Sequence, residues 1–310
     1  MASSSTPKAA TRASVLCTGI GVQDIVLRMQ QFPPPGGKVM ADDFIIVSGG
    51  CAVNAAIAIS RLGGTAHYAG PLGDVNDAVS NQLMAAMKNE GIGTAGVVRI
   101  KGAKAPVSGI MIDAAGERTI ATYRDRRVEM AKPADPEAVL KGVTAVLADN
   151  RFPDFVQPIC EAARRQRLLI VLDADRPTVE SHPLFAIATH VIFSSECLRE
   201  TTDRTDLGAG LQRIASLTKA FVAVSNGPDD VIYIGDGVVR RAPVFSVKAV
   251  DTLAAGDVFH AGFTLALAEG RDELAALRFG AAAAALKCTR FGGSDGAPYR
   301  AEVEAFLAAA

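Results

Sequence analysis

The sequence predicts an α/β protein in which a parallel β-sheet is sandwiched between helices and a small β-sheet forms a lid, and two observations lead to this fold class. From about residue 143, continuous apolar runs alternate with helical stretches, a pattern typical of parallel strands that are covered on both faces. Nearer the N-terminus, short segments of alternating polarity do not fit such a series, and they predict the lid. With 49% hydrophobic and 21% charged residues, the 310-residue chain can bury a large core.

The first part of the chain is expected to supply a tail and the lid. Residues 1–13 are small and polar and contain no apolar segment of a secretory signal, so a disordered tail is expected there, followed by a single domain over 14–310. Lid strands are expected within about 23–47 and 97–124, as two excursions from the main sheet. The individual strands are expected at 15–20, 24–29, 39–47, 96–100, 107–113 and 118–123, and the helices at 50–62 and 77–89.

The second part is expected to supply most of the main sheet. Its apolar runs are short enough for buried strands, and the stretches between them have helical spacing. The strands are expected at 143–148, 168–172, 190–193, 221–224 and 244–250, and the helices at 155–167, 207–217, 257–269 and 273–287.

Composition and charge argue against several classes of protein. The formal net charge of −1 gives no reason to expect nucleic acid or a membrane surface as a partner. The longest apolar stretch, around residues 280–286, is far too short to span a bilayer. An odd number of scattered cysteines without a CxxC pair argues against a disulfide framework or a structural zinc site and favours the reducing cytoplasm. The five cysteines are Cys17, Cys51, Cys160, Cys197 and Cys288.

The strongest local signal is the segment 251–257, which reads Asp-Thr-Leu-Ala-Ala-Gly-Asp before a helix. The small residues Ala254, Ala255 and Gly256 leave the backbone unshielded, and amide groups at a helix N-terminus can hold a phosphoryl group. Asp257 beside them can accept the proton of an attacking hydroxyl. The alternative is that Asp257 only caps the helix, and the segment alone leaves both interpretations open.

A second signal lies at 48–54, which reads Ser-Gly-Gly-Cys-Ala-Val-Asn at another helix start. The pair Gly49 and Gly50 lets backbone approach a ligand closely, and Asn54 offers a donor and an acceptor to hydroxyl groups. The alternative is tight packing between helix and sheet.

Other motifs give weaker signals. Residues 91–96 match GxGxxG, but they follow a helix and precede a strand, the reverse of the order in a dinucleotide-binding site. No P-loop sequence is present, and the four histidines lack metal-ligand spacing. Among them, His260 falls inside the helix after Asp257 and is expected to be structural.

Taken together, the two main segments resemble the signatures of the ribokinase family, also called the phosphofructokinase-B family of carbohydrate kinases. The first signature corresponds to 49–63 and the second to 251–259, and the resemblance covers about residues 14–308. Within this family the chain is most similar to sulfofructose kinases. The segments that carry this closer similarity are 146–151, 171–173, 193–194, 256–260 and 284–293.

The resemblance implies a kinase that transfers a phosphoryl group from ATP, with Mg²⁺, to a sugar hydroxyl, and a homodimer formed through the lid. Partners would be the sugar and ATP, without nucleic acid or membrane. Asp257 would be the base, and Ala254, Ala255 and Gly256 would form the anion hole. The sugar would contact Asp24, Gly49, Gly50 and Asn54, and the nucleotide would contact Ser225, Gly227, Thr252, Gly256, Lys287, Gly292 and Gly293. Glu196 would reach Mg²⁺ through water, and a monovalent cation is a further candidate cofactor.

Two basic residues lie where sulfofructose kinases bind the sulfonate of their substrate. These are Lys38 and Arg151, and the planar fork of an arginine suits a permanent anion. The alternative is that both are ordinary solvated charges. Arg118 and Arg124, on or near the lid, are weaker candidates for the same role.

The chain departs from the family pattern at several positions. Ala254 replaces a glycine, which would cost roughly 1 kcal/mol if the position needs a positive φ. The segment 194–198 lacks an intact Asn-x-x-Glu motif, and the loop 225–230 lacks its last glycine. One alternative is a kinase of a neutral sugar or nucleoside, in which Lys38 and Arg151 would be incidental. The second, which these departures leave open, is a non-catalytic binding protein. The intact Gly256–Asp257 pair argues against the second, because a binding protein needs no base there.

Overall fold

The structure, a computed structural model, describes residues 12–310, so almost all of the expected disordered tail lies outside the described residues. Within this range the chain forms three β-sheets and ten α-helices. The strands are β1 Ser14–Thr18, β2 Val22–Arg28, β3 Asp43–Gly49, β4 Thr65–Ala69, β5 Pro71–Leu72, β6 Val98–Arg99, β7 Val107–Ile112, β8 Arg118–Tyr123, β9 Ala145–Asp149, β10 Leu169–Ala174, β11 His190–Ser194, β12 Phe221–Asn226, β13 Asp229–Gly235 and β14 Val238–Ala242. The helices are α1 Cys51–Arg61, α2 Ala78–Asn89, α3 Arg126–Glu129, α4 Pro153–Arg165, α5 Pro183–Ile187, α6 Ser195–Thr202, α7 Leu207–Ala215, α8 Ala255–Ala268, α9 Glu273–Cys288 and α10 Arg300–Ala309.

The main sheet has the strand order β14-β13-β12-β11-β10-β9-β1-β4, and it lies between two layers of helices. One core packs α1, α8 and α9 against the sheet, and the other packs α4 to α7 against its opposite face. The strands from β12 to β4 are parallel, as predicted, and their interior residues are apolar because both faces are covered.

The main sheet is not parallel throughout: at one edge, β13 and β14, which the sequence reasoning did not identify as strands, run antiparallel. The sequence turns back after β13 at Asp236 and Gly237, which both have positive φ. Two such residues in succession form the tight turn that joins antiparallel neighbours. The main sheet is therefore mixed.

The lid is a four-stranded sheet with the order β3-β2-β7-β8. In its central strands β2 and β7, side chains point alternately to a buried and a more exposed face, whereas every residue of the edge strand β8 is exposed. The inner face contributes Val26 and Ile110 to a small core with Leu253 and Phe291 of the main body. The division of the chain into a single domain with a lid stays a prediction.

Two expected strands are placed differently. The segment 96–100 does not join the lid, because β6 pairs in parallel with β5 in a separate two-stranded sheet. The segment 244–250 is irregular, because Pro243 follows β14 and the N–H groups of Val250 and Asp251 donate to the Cys288 carbonyl rather than to a strand. The turn at 91–96 does follow α2, as predicted, and Gly91 has a φ of 72°. In the described residues, no helix is long and apolar enough to cross a membrane.

Candidate active site

The candidate site lies at the carboxyl edge of the parallel strands, where open α/β sheets bind ligands. Asp149 ends β9, and Asp173 lies near the end of β10. The glycine pair 49–50 joins β3 to α1, and Asp257 lies in the first turn of α8. Asp24 of β2 is buried on the inner face of the lid, so the lid contributes a carboxylate to the same region.

The two segments singled out in the sequence meet in space. Helices α1 and α8 pack against each other, and the Asn54 amide Nδ2 donates to Asp257 Oδ2 over 2.6 Å. The N-cap of α8 is Ala254, and no side chain caps this helix. The capping interpretation of Asp257 is therefore wrong, and its carboxylate faces the amide of the other segment.

The turn before α8 leaves two backbone amides free. Ala254 has a φ of 63° and a ψ of 8°, so the residue is in the left-handed region. Ala255 N donates to Thr252 O over 3.2 Å, whereas the N–H groups of Gly256 and Asp257 have no acceptor among residues 12–310. A Cβ built on Gly256 would meet only open space, so no other side chain crowds this position. Free amides at a helix N-terminus can hold an anion, so these two are the candidate phosphoryl-binding donors.

Asp251 connects the turn before α8 to the chain after α9. Its carboxylate accepts the N–H of Leu253 over 2.8 Å and those of Gly292 and Gly293 over 3.1 Å each. The ammonium of Lys287 lies 3.0 Å from Asp251 Oδ2 and donates to Asp251 O over 2.8 Å. Burial alone would raise the pKa of Asp251, but Lys287 and the amides hold it below its ordinary value.

Lys287, expected to contact the nucleotide, is fully buried. Its ammonium contacts both the carboxylate and the carbonyl of Asp251, so this lysine fixes the loops and offers no open surface to a ligand. The permanent charge of the ammonium also supplies the cation that the buried Asp251 carboxylate needs. A separate monovalent cation is therefore not required to neutralise this carboxylate.

The glycine pair 49–50 allows the backbone to pack closely against Asp24 and Ile20. A Cβ on Gly49 would collide with the Asp24 carboxylate, and Gly50 has a φ of 86° and would place a Cβ 2.6 Å from Ile20 O. Only glycine fits either position. Burial raises the pKa of Asp24 to about 7, although a hydrogen bond from Ser108 opposes this rise.

Sequence reasoning missed the carboxylates Asp149 and Asp173. Burial raises the pKa of Asp149 to about 7, although the N–H groups of Ile20 and Arg151 donate to it over 2.7 and 2.8 Å. Burial also raises the pKa of Asp173. Each residue lies at or near the end of a buried parallel strand, and that position was the signal that could have identified both.

His260, expected to be structural, lies directly beside the site. Its Nδ1 is 2.7 Å from Gly256 O, so Nδ1–H donates to this carbonyl, and its Nε2 lies 3.6 Å from Asp173 Oδ1. The Cys51 sulfur, an Asp173 oxygen and an Asp257 oxygen all lie within 4.8 Å of one another. The imidazole therefore braces the first turn of α8 against a group of acidic side chains.

A group of arginines lies next to these acidic groups. Arg151 forms an ion pair with Asp175. Burial lowers the pKa of Arg124, and the nearby charges of Arg151 and Arg176 lower it further. Arg176 lies close to Arg151, because the side chain of the adjacent Asn150 hydrogen-bonds the N–H and the carbonyl of Arg176. Arg124 and Arg151 were expected as candidate anion ligands. Lys38 is exposed between β2 and β3, and no ion pair or hydrogen bond within residues 12–310 ties its side chain to this group.

Arg118, the other lid arginine, lies instead near the turn that precedes α8. Its Nη1 donates to Thr252 Oγ1 over 3.2 Å, immediately before the turn that carries the free amides. The expectation that it joins Arg151 is therefore corrected, because Arg118 begins β8 whereas Arg124 follows the other end of this strand.

The expected nucleotide contacts lie at the neighbouring strand ends. Ser225 lies near the end of β12 and its hydroxyl donates to Phe193 O over 3.3 Å, and Gly227 lies in the following turn with a φ of 61°. Glu196 is exposed in the first turn of α6. A single exposed carboxylate suits Mg²⁺, which keeps several waters and binds mainly through phosphates. The thiol-containing cluster around Cys51 does not suit this hard cation.

Comparison with known proteins matches nearly the whole chain to carbohydrate kinases. A family model described as pfkB family carbohydrate kinase matches residues 12–300. The ribokinase of Bacillus subtilis is 27% identical over 287 residues, which cover 92% of this chain and 96% of that protein.

Solved structures show the same fold. A ribokinase candidate from Agrobacterium tumefaciens is 36% identical with a TM-score of 0.91, covering 96% of this chain and 98% of its own. The fructokinase with bound ATP from Xylella fastidiosa is 24% identical with a TM-score of 0.75, covering 96% and 98%. The expected ribokinase-like α/β fold with a second, small sheet is thus confirmed.

Proposed function

Because the chain belongs to the pfkB family of carbohydrate kinases, it is a sugar kinase that uses ATP, and we propose that its acceptor is a ketohexose-type sugar with an anionic group, such as 6-deoxy-6-sulfofructose. The observation that carries this proposal is the cluster of Arg124, Arg151 and Arg176 beside the acidic pocket. Guanidinium groups held near one another repel, and an anion bound between them relieves that repulsion.

In this proposal the two sides of the acceptor pocket recognise two parts of one molecule. Asp24 and Asn54, with the backbone around Gly49 and Gly50, bind hydroxyl groups. Arg151 binds the anionic substituent. Lys38, in the connection between β2 and β3, adds a second cation through its flexible side chain.

In the proposed chemistry, the Asp257 side chain and the nearby backbone amides have separate roles. Its carboxylate takes the proton of the acceptor hydroxyl, and the amides of Gly256 and Asp257 hold the transferred phosphoryl group. Asn54 orients the carboxylate through its 2.6 Å hydrogen bond. When bound, Mg²⁺ neutralises the charge of the phosphates, and Glu196 would hold it through water. No step is assigned to a monovalent cation, since Lys287 already neutralises Asp251.

The proposal is tested by measuring ADP release over a panel of sulfofructose, fructose, fructose phosphates, ribose and nucleosides. Sulfofructose is expected to give the highest kcat/KM. The variant Arg151→Ala should raise KM for sulfofructose at least about tenfold, since a hydrogen-bonded charge contributes about 1.5–3 kcal/mol, and should change KM for fructose much less. Equal effects on the two sugars would remove the anion site from the proposal.

A second candidate is a kinase of a neutral sugar, because the similar proteins include ribokinases and a fructokinase. On this alternative ribose or fructose would lead the panel and Arg151→Ala would have no selective effect. A cytoplasmic location and assembly into a homodimer complete the proposal. The support for a dimer is the outer face of the lid, where Phe44, Ile46 and Tyr123 are about half exposed or more.

A further inference from the structure

We propose that Arg118, which the lid carries, binds the phosphoryl group during its transfer and makes this transfer depend on closure of the lid; the inference rests on the proposed chemistry at Asp257. The contact that leads to it is the hydrogen bond of 3.2 Å from Arg118 Nη1 to Thr252 Oγ1. Thr252 lies immediately before the turn that presents the amides of Gly256 and Asp257. A lid side chain thus ends at the phosphate side of the site.

Strand register explains why this side chain faces the site. Arg118 is the first residue of β8, and it pairs with Ile112 of β7. Further along, Ile120 pairs with Ile110. Ile110 and Ile112 are buried on the inner face of the lid, and side chains directly opposite each other in a sheet share a face. The period of two therefore places Arg118 on the face that covers the site.

The charge of Arg118 is not compensated in this position. Within residues 12–310 it forms no ion pair, whereas the neighbouring ammonium of Lys287 is neutralised by Asp251. Arg118 also lies near this pair, because its hydrogen-bond partner Thr252 directly follows Asp251 in the chain. An exposed guanidinium held at the start of the turn that leads to two free amides provides donors without an anion, and a phosphoryl group would supply that anion.

The proposed step can be written in full. The acceptor oxygen forms a bond to the γ-phosphorus, and the bond from this phosphorus to the β,γ-bridging oxygen breaks. The acceptor proton passes to Asp257, and the electron pair of the broken bond stays on the ADP oxygen. The guanidinium of Arg118 donates to the oxygens of the group in flight, where charge is spread over three oxygen atoms. The hydroxyl of Thr252 holds the guanidinium in place until the nucleotide is bound.

The link to the lid follows from the position of Arg118 on β8. The guanidinium reaches the turn only when this strand lies above Thr252, so an open lid removes a positive charge from the site. Transfer is then disfavoured before the acceptor is enclosed, and water is a poorer competitor for the phosphoryl group.

The variants Arg118→Ala and Arg118→Lys test the inference, with Arg126→Ala as a charge-matched control. Arg126 is also exposed, and it lies in α3 outside the site. For Arg118→Ala we expect kcat to fall about 10- to 100-fold, as when one donor to a developing charge is removed, with little change in KM for the acceptor. Arg118→Lys should lie between, and guanidinium ion should partly restore the alanine variant but not Asp257→Asn.

A binding measurement tests the same inference without an acceptor. The affinity for ADP with fluoroaluminate and Mg²⁺, a mimic of the group in flight, should fall in Arg118→Ala by much more than the affinity for ADP alone. Kinetics and affinities equal to those of Arg126→Ala would overturn the inference, and so would an effect confined to KM for the anionic acceptor. If the wild-type chain bound ADP and the mimic but phosphorylated no sugar in the panel, only the proposed acceptor would fail.

Discussion

At the scale of single residues, Ala254 is the clearest case in which the sequence anticipated strain. The sequence indicated a cost if this position needs a positive φ, and the structure gives it a φ of 63°. A residue with a Cβ pays about 1–2 kcal/mol in this region, and glycine pays almost nothing. We expect Ala254→Gly to raise the free energy of unfolding by about 1 kcal/mol and the melting temperature with it, and to leave turnover at least unchanged.

Ala255→Gly is the matched control for this prediction. It adds a glycine one residue later, inside α8, where flexibility lowers helix stability by about 0.5–1 kcal/mol. The two neighbouring variants should therefore move the denaturant midpoint in opposite directions. If both lowered it, the left-handed conformation of Ala254 would not be the source of the strain.

The buried carboxylates give the second residue-scale prediction. Burial raises the pKa of Asp24 to about 7, well above its ordinary value of 3.8. The folded chain therefore binds more protons than the unfolded chain between about pH 4 and pH 7, and stability is lost as the pH rises through this window. Thermal melts of the ligand-free protein should show a lower melting temperature at pH 8 than at pH 5. Asp24→Asn should reduce this drop, and a drop of unchanged size would contradict the role of Asp24.

Residue-level reasoning found the central pair of the site but not its surroundings. Asp257 and Asn54 stood in two recognisable segments, and the structure joins them. Asp173 and His260 are brought together by the packing of α8 on β10, and no local pattern reports that contact. Arg118 was assigned to the wrong side of the site, because a sequence gives the face of a strand but not what lies beneath it.

At the scale of elements, the buried ion pair of Lys287 and Asp251 joins the end of α9 to the turn before α8. Lys287→Met leaves the Asp251 carboxylate buried without its cation, and such a loss costs about 3–5 kcal/mol. The turn should lose its order at the same time, because Asp251 holds the N–H groups of Gly292 and Gly293. We expect a lower urea midpoint and a weaker affinity for ADP.

The double variant Lys287→Met with Asp251→Asn separates charge from packing. Removing both charges should recover part of the lost stability, because the remaining amide needs no cation. An urea midpoint for Lys287→Met equal to that of the wild type would show that the ammonium does not hold this junction. Recovery of stability without recovery of ADP affinity would point to a direct contact of Lys287 with the nucleotide.

Element types were largely predictable, whereas strand partners were not. The parallel core from β9 to β12 followed from its continuous apolar runs, because both faces of these strands are covered. The runs at 96–100 and 244–250 look similar in sequence, but only one of them pairs, and in another sheet. Whether an apolar run becomes a strand depends on a neighbour that offers free backbone groups, and that neighbour is distant in sequence.

At the scale of the whole molecule, the lid has two faces with different requirements. The inner face packs on Leu253 and Phe291 and carries Arg118 above the turn that precedes α8. On the outer face, Phe44 is 63% exposed, and Ile46 and Tyr123 are each 52% exposed. The edge strands of the lid also leave backbone groups unpaired. Apolar residues gathered on one exposed face of a sheet indicate an interaction surface.

The last prediction concerns the partner of this face, which we expect to be the lid of a second copy. Two lids packed face to face bury apolar side chains of both copies, and a stable interface needs about 1,600 Å² of surface in total. Light scattering after size exclusion should therefore give a dimer for the wild type and a monomer for Phe44→Asp, whereas Val238→Asp, an equally exposed change at the edge of the main sheet, should stay dimeric. Because the lid also carries Asp24 and Arg118, the monomeric variant should bind ADP normally but turn over more slowly. A wild-type monomer at micromolar concentration would leave the outer face without this partner, and a dimer that survives Phe44→Asp would place the interface elsewhere.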